Sequence, residues 1–177
     1  MTELEGNKMI KDLTVKKLGE DSTYREGKVY CRQWDKEILV MLFDEAVTLE
    51  YAERCAEAMN NMPDELLDSI CRAAKLYCND YQEAIGDDLA DEMTVPIYED
   101  TPPAEILKCF APTVLSVEDP EDPARIGYQL ECECDWEIEH GMEIDILDDK
   151  LVFLSQYSGD SPWDDHSDED WNYANKI

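Results

Sequence analysis

Between Tyr128 and Trp136 the chain alternates without a break: Tyr128, Leu130, Cys132, Cys134 and Trp136 share one parity, and Gln129, Glu131, Glu133 and Asp135 the other, with Glu137 continuing the polar set. A period of two marks an extended strand, because successive side chains point to opposite faces of a sheet. The segment predicts a strand with one face in the core and one face of carboxylates. Acids at i and i+2 on a strand stand about 7 Å apart, inside the Debye length of about 8 Å at physiological salt, so this face carries a concentrated negative potential. Such repulsion is tolerated where the face is solvated or meets something positive.

The rest of the pattern builds around that strand. After the turn at Glu139-His140-Gly141, Met142, Ile144 and Ile146 alternate with Glu143 and Asp145; Asp148-Asp149-Lys150 predicts a second turn, and Leu151 to Tyr157 a returning strand. Three antiparallel strands in a meander follow. Upstream, Gly27 to Trp34 and Glu37 to Phe43 are rich in β-branched and aromatic residues about Asp35-Lys36, the signal of a hairpin. Its second strand is apolar on both parities and is expected to be covered on both sides. Thr48 stands at an N-cap before Leu49, Ala52, Ala56 and Met59, and Pro63 opens a longer helix that runs through Leu66, Ile70, Ala74, Tyr77 and Tyr81 to a stop at Gly86. Residues 87–103 read as a loop with a helical turn at 89–93, followed by a short helix at 103–110 and a strand at 113–117.

These elements predict an α+β fold, an antiparallel sheet made of the early hairpin and the C-terminal meander, with the two helices of residues 48–86 packed on one face. The organisation expected is a polar leader at 1–26 with at most one strand, near 9–18, then a single domain at 27–158 and an acidic, Trp-containing tail at 159–177.

Charge narrows the partners. Forty-four acids against fifteen Lys and Arg give a formal charge of −29. Phosphate-backbone binding and docking on anionic membranes both need clustered cations, so neither nucleic acid nor membrane is expected as a partner. The acids concentrate from Glu118 to Asp149, where thirteen stand with Arg125 as the only Lys or Arg, and again from Asp160 to Asp170. Seven cysteines, none in C-x-x-C spacing, fall largely on apolar positions and suggest a reducing compartment. The acidic start at Met1 to Glu5 lacks a signal-peptide pattern, and a cytoplasmic location is the expectation.

The run Cys134-Asp135-Trp136-Glu137-Ile138-Glu139-His140-Gly141, ahead of a hairpin with an Asp-Asp-Lys turn, resembles the C-terminal part of an uncharacterised family of acidic bacterial proteins. Members share C-[DE]-[WF]-x-x-E-H-G before an alternating strand, with a β-rich segment upstream. Some occur in the company of toxin and immunity systems. The resemblance covers the last third of the chain and brings an association with immunity function, not a mechanism.

Several constellations compete for chemistry. Glu137, Glu139 and His140 form an alternative catalytic set for a hydrolase or a cation-dependent enzyme, but a base and its orienting carboxylate still need a nucleophile. Cys132 and Cys134 lack zinc-ligand spacing and suit the core. The acids of 160–170 lack a calcium-loop register, so no dedicated metal site and no cofactor is expected. Trp163 and Trp171, set among acids, have the composition of contact residues. The reading is a non-enzymatic acidic binding protein of immunity type, using Glu131, Glu133, Asp135, Glu137, Trp163 and Trp171 to engage a basic, toxin-like protein. A structural module of unknown role is the remaining alternative, and oligomeric state is left open.

Overall fold

Seven strands lie in sequence order across one sheet in the computed structural model, which describes residues 8–86 and 88–177. They are β1 (Lys11–Leu18), β2 (Ser22–Cys31), β3 (Lys36–Leu42), β4 (Phe110–Val117), β5 (Gly127–Cys134), β6 (Met142–Leu147) and β7 (Lys150–Gln156). Five of the six junctions are antiparallel, and β3 with β4 is parallel. Here the expectation of a purely antiparallel sheet is corrected. A parallel neighbour requires a long crossover, and the chain between β3 and β4 supplies it as α1 (Leu49–Asn60), α2 (Asp64–Ile85), α3 (Asp88–Glu92) and a 3₁₀ turn at Pro103–Lys108. The fold is α+β.

The helices begin and end on chemistry visible in the chain. The Thr48 hydroxyl accepts the Tyr51 N–H at the start of α1, and Gly86, at φ 113°, ends α2. Among the described residues no helix is long and apolar enough to cross a membrane. Residues 11–18 and 22–26, read as part of a polar leader, pair as β1 and the first half of β2; residues 1–7 and 87 lie outside the described residues.

Register sorts the side chains. One row runs Gly27, Val40, Leu115, Leu130, Ile144, Leu154, and its larger members share a buried core with Cys55, Met59, Ile70, Ala74 and Cys78 of α1 and α2. The next row, on the other face, runs Lys28, Leu39, Val114, Glu131, Glu143, Ser155, and the parallel one Met41, Ser116, Gln129, Asp145, Phe153. At β3 this second face is open: Leu39 is 36% exposed and Phe43 39%. Among the described residues the expected cover on both sides of β3 is not found, because the tail covers only the β4–β7 end.

That tail is packed. Residues 158–172 cross the second face, where the Phe153 ring lies 4.8 Å from the His166 ring and Gln129 donates to the Asp160 carbonyl at 2.6 Å. The chain then turns around the β7 edge. Asn172, fully buried, accepts the Leu154 N–H at 3.0 Å and donates to the Val152 carbonyl at 2.8 Å, and Tyr173 stacks on Tyr77 of α2 with ring centroids 4.9 Å apart.

Candidate functional site

A groove of about 600 Å³ opens where the start of β4, the end of β5 and the start of β6 meet the turn of residues 135–141. Its lining includes Glu131, Glu133, Asp135, Glu137, Glu139 and His140, so the predicted carboxylates of the ribbon and the alternative catalytic set are gathered in one concavity. The groove exists because β5 ends at Cys134 and the chain folds back before β6. The Asp135 N–H donates to the Cys109 carbonyl at 2.9 Å, and its carboxylate accepts the Thr94 N–H at 2.7 Å. Gly141 closes the turn at φ 73°, where an added Cβ would stand 2.5 Å from the Cys132 carbonyl oxygen. Only glycine fits there.

The carboxylates differ in role. Glu133 and Glu139 are exposed, whereas Glu131 is half-buried and lies directly across from Glu143 of β6. Burial, then the neighbouring Glu143 charge, pushes the Glu131 carboxyl above its usual range. Glu137 departs from the predicted ribbon. The period of two stops with β5, and Glu137 is only 4% exposed, its Oε1 accepting the N–H groups of Glu139 and His140 at 3.2 Å each. It organises the turn from inside the groove wall.

His140 Nδ1 lies 3.3 Å from the same Glu137 oxygen, which gives the base-and-orienter half of a catalytic arrangement. Among the described groove residues no cysteine is activated to join it as a nucleophile. Cys132 and Cys134 point into the core, where burial holds the Cys132 thiol well above its ordinary range and raises Cys134 to about 12; thiolate chemistry needs the reverse shift. Cys109 is likewise raised by burial.

The tail tryptophans do not reach the groove. Trp163 packs its ring where Gly127 leaves room, with the Arg125 guanidinium 5.8 Å from the ring centroid. The ring is partly buried, seated where Gly127 has no Cβ. Trp171 is 58% exposed and lies outside the groove lining. What sequence reading overlooked is Ile138, 86% exposed on the turn that walls the groove. Parity would have put Ile138 with the core positions of β5 and β6; it is exposed because the ladder ends at Cys134.

Cations are segregated from this end of the sheet. Of the fifteen Lys and Arg, eight fall between Lys8 and Lys36, on and around β1 to β3. In the groove lining Lys108 alone carries a fixed positive charge, and it is engaged by Glu105 at 2.5 Å. The groove is thus acidic without internal neutralisation by Lys or Arg among its described lining residues.

Comparison with curated proteins and with solved structures returned no match. A family model does match, over residues 12–161, a span that takes in all of the sheet but its first residue, together with the groove. The chain belongs to the family described as Domain of unknown function (DUF6985).

Proposed function

We propose that this protein is a non-enzymatic binding protein, of immunity type, whose acidic groove receives basic side chains of a protein partner and thereby occludes it. In this reading α1 and α2 cover one face of the sheet, and the partner approaches the groove end of the other. The observation that supports it is the collection of Glu131, Glu133, Asp135 and Glu139 in one groove beside the exposed Ile138. An apolar side chain on the rim of a charged concavity supplies an anchor, while the surrounding charge steers approach and selects for a cationic partner. Association driven this way is fast at low salt and weakens as salt rises.

The test is co-purification with basic proteins encoded beside its gene, at low and at raised salt, using the natural protein and the Glu133→Lys, Glu139→Lys double variant. Retention of a basic protein at low salt, lost with the double variant, supports the reading. If no basic protein is held under either condition, the reading fails.

One observation favours a second reading, catalysis by His140 oriented through Glu137, namely their 3.3 Å contact inside the same groove. Hydrolysis of a model ester or phosphoester that disappears in His140→Ala would place this reading first.

A further inference from the structure

Beneath the tail, β6 buries two acids on one face. Asp145 is 0% exposed, and neither of its carboxylate oxygens has a hydrogen-bond partner. Glu143, two residues earlier, is also buried, but its carboxylate accepts the N–H groups of Ser158 and Gly159 at 2.9 and 2.7 Å. An ionised carboxylate left bare in a protein interior is strongly unfavourable, so Asp145 needs either a cation or a proton. Among the described residues no Lys or Arg forms an ion pair with it or with Glu143.

The strands around Asp145 bring further acids or neutral groups. Beside Glu143 on β6, β5 places the neutral Gln129 directly across and Glu131 one pair along, and β7 places the apolar Phe153. Glu118, just past β4, adds another carboxylate near Asp145, and Tyr157 lies where the chain leaves β7. The tail adds Asp160 and one base, the buried His166. Both ring nitrogens of His166 are engaged elsewhere, Nε2 with the Ser161 carbonyl oxygen at 2.8 Å and Nδ1 with Glu169 Oε2 at 3.0 Å. Asp145 Oδ2 stands 3.7 Å from Nε2, beyond hydrogen-bond reach, and any charge on the ring is answered by Glu169. A proton on Asp145 does have an acceptor, the neighbouring Glu143 carboxylate. Burial, then the Glu143 charge, favours that protonated form.

We propose that residues 158–170 form a latch over the sheet, held shut by a proton on Asp145 and released as pH rises. These residues belong to no strand, so lifting them breaks side-chain contacts and no ladder, and Asn172 keeps the far end on the β7 edge. Local opening of this kind leaves the rest of the fold intact. The sign follows from what each form binds. Shut, the latch keeps the proton on Asp145; lifted, it admits water, and a solvated aspartic acid ionises near pH 4. Opening therefore releases one proton at any pH above about 4, until Asp145 ionises beneath the shut latch, and across that window the opening constant rises about tenfold per pH unit. Lifting uncovers Gln129, Phe153 and Ser155, which continue the face already open at Leu39.

The test is hydrogen exchange on the full chain by NMR from pH 5 to 8, each amide corrected for the intrinsic rise of exchange with pH. The Ser158, Gly159 and Trp163 amides, bonded to Glu143 and to Ser161, report the latch, and amides of β2 and β3 report the sheet. At the latch the opening constant is expected to rise about tenfold per pH unit from pH 5, levelling once Asp145 ionises beneath it, and to exceed that of the sheet amides at least tenfold throughout. Asp145→Asn keeps the shape, donates to Glu143 and has no proton to release, so its latch is expected to stay shut with a profile close to flat. In the natural protein the Asp145 carboxyl ¹³C shift is expected to report the neutral acid at pH 5, where a solvated aspartate is ionised, and this reading serves where the variant does not fold. A flat profile at the natural latch, an unchanged slope in folded Asp145→Asn, latch and sheet amides opening with one constant, or an ionised Asp145 at pH 5 would each overturn the proposal.

Discussion

Glu131 of β5 and Glu143 of β6 are direct cross-strand partners on the tail-facing side of the sheet. Like charges so placed are destabilising, and burial pushes both carboxyls above their usual range. Asp145, one pair further along, is pushed well up by burial and then by Glu143.

A pH dependence follows. A carboxyl whose folded pKa lies above its unfolded value holds more protons in the native state, so its contribution is fully present below the unfolded value near 4 and is lost as pH rises through the folded value. Glu131, Glu143 and Asp145 all act in this sense. Tm is expected to rise as pH is lowered from 8 to 5. Asp148 is held below its usual range, since the Ile126 N–H and the Arg125 guanidinium outweigh its burial, and it acts in the opposite sense only below about pH 4. Calorimetry across that range checks the slope, and a Tm that falls steadily from pH 8 to 5 would contradict it.

Glu131→Gln removes one charge of the facing pair and keeps the shape. Relief of about 0.5–1 kcal/mol is expected at pH 7.5, a gain of roughly 1–4 °C in Tm. The gain should shrink as pH is lowered toward the ordinary carboxylate range, since both carboxyls are raised above it and take up protons on the way down. Paired melts across that range distinguish this from a packing effect.

The Glu137 carboxylate and the His140 ring offer a test of role. Truncating Glu137 to Ala strips the acceptor from two backbone N–H groups at a buried site, with an expected loss of about 2–3 kcal/mol. His140→Ala removes a half-exposed ring and is expected to change stability by less than about 0.5 kcal/mol. Urea titrations of the two variants measure the contrast. Equal effects would mean that Glu137 does not organise the turn.

Strand positions were legible because each rests on local pattern. Alternation through Tyr128 to Cys134 gave β5, and the Asp148-Asp149 turn, with both residues at positive φ, gave the β6–β7 connection. The parallel β3–β4 junction was not legible, for it depends on where a crossover of more than sixty residues lands and not on any residue within the strands. Glu137 was misplaced because parity carries no information past the last ladder hydrogen bond. His166 and Asp145 are twenty-one residues apart with a strand and a turn between them, and no spacing rule connects them. Glu131, Glu133 and Asp135 could be read as one group since a single strand and its end carry all three.

Gly127→Ala tests the seat of the tail. An added Cβ would stand 2.8–2.9 Å from ring atoms of Trp163, inside any normal contact. The ring must move, and overpacking of this kind is expected to remove about 1–3 kcal/mol. Loss of the seat should also expose the indole, shifting the tryptophan emission to longer wavelength before global unfolding. An unshifted spectrum with unchanged stability would show that the tail does not depend on this contact.

Asn172 substitutes for a strand at the β7 edge. Its side-chain amide satisfies the Leu154 N–H and the Val152 carbonyl as a neighbouring backbone would, and it also accepts the Ala174 N–H at 3.0 Å to start the last turn. An exposed edge is a template for pairing with another chain, and covering it is one way sheets avoid aggregation. Asn172→Ala leaves a buried donor and a buried acceptor without partners, each lost bond worth about 1–3 kcal/mol, while its apolar replacement repairs neither. The expected outcome is faster hydrogen exchange at the Leu154 amide, weakened stacking of Tyr173 on Tyr77, and stronger concentration-dependent association than the natural protein shows. Asn172→Asp separates the two halves of the contact: the carboxylate still accepts from Leu154 but cannot donate to Val152, so Leu154 protection should survive while stability falls. Loss of Leu154 protection in both variants would instead mean that the whole tail has left the edge.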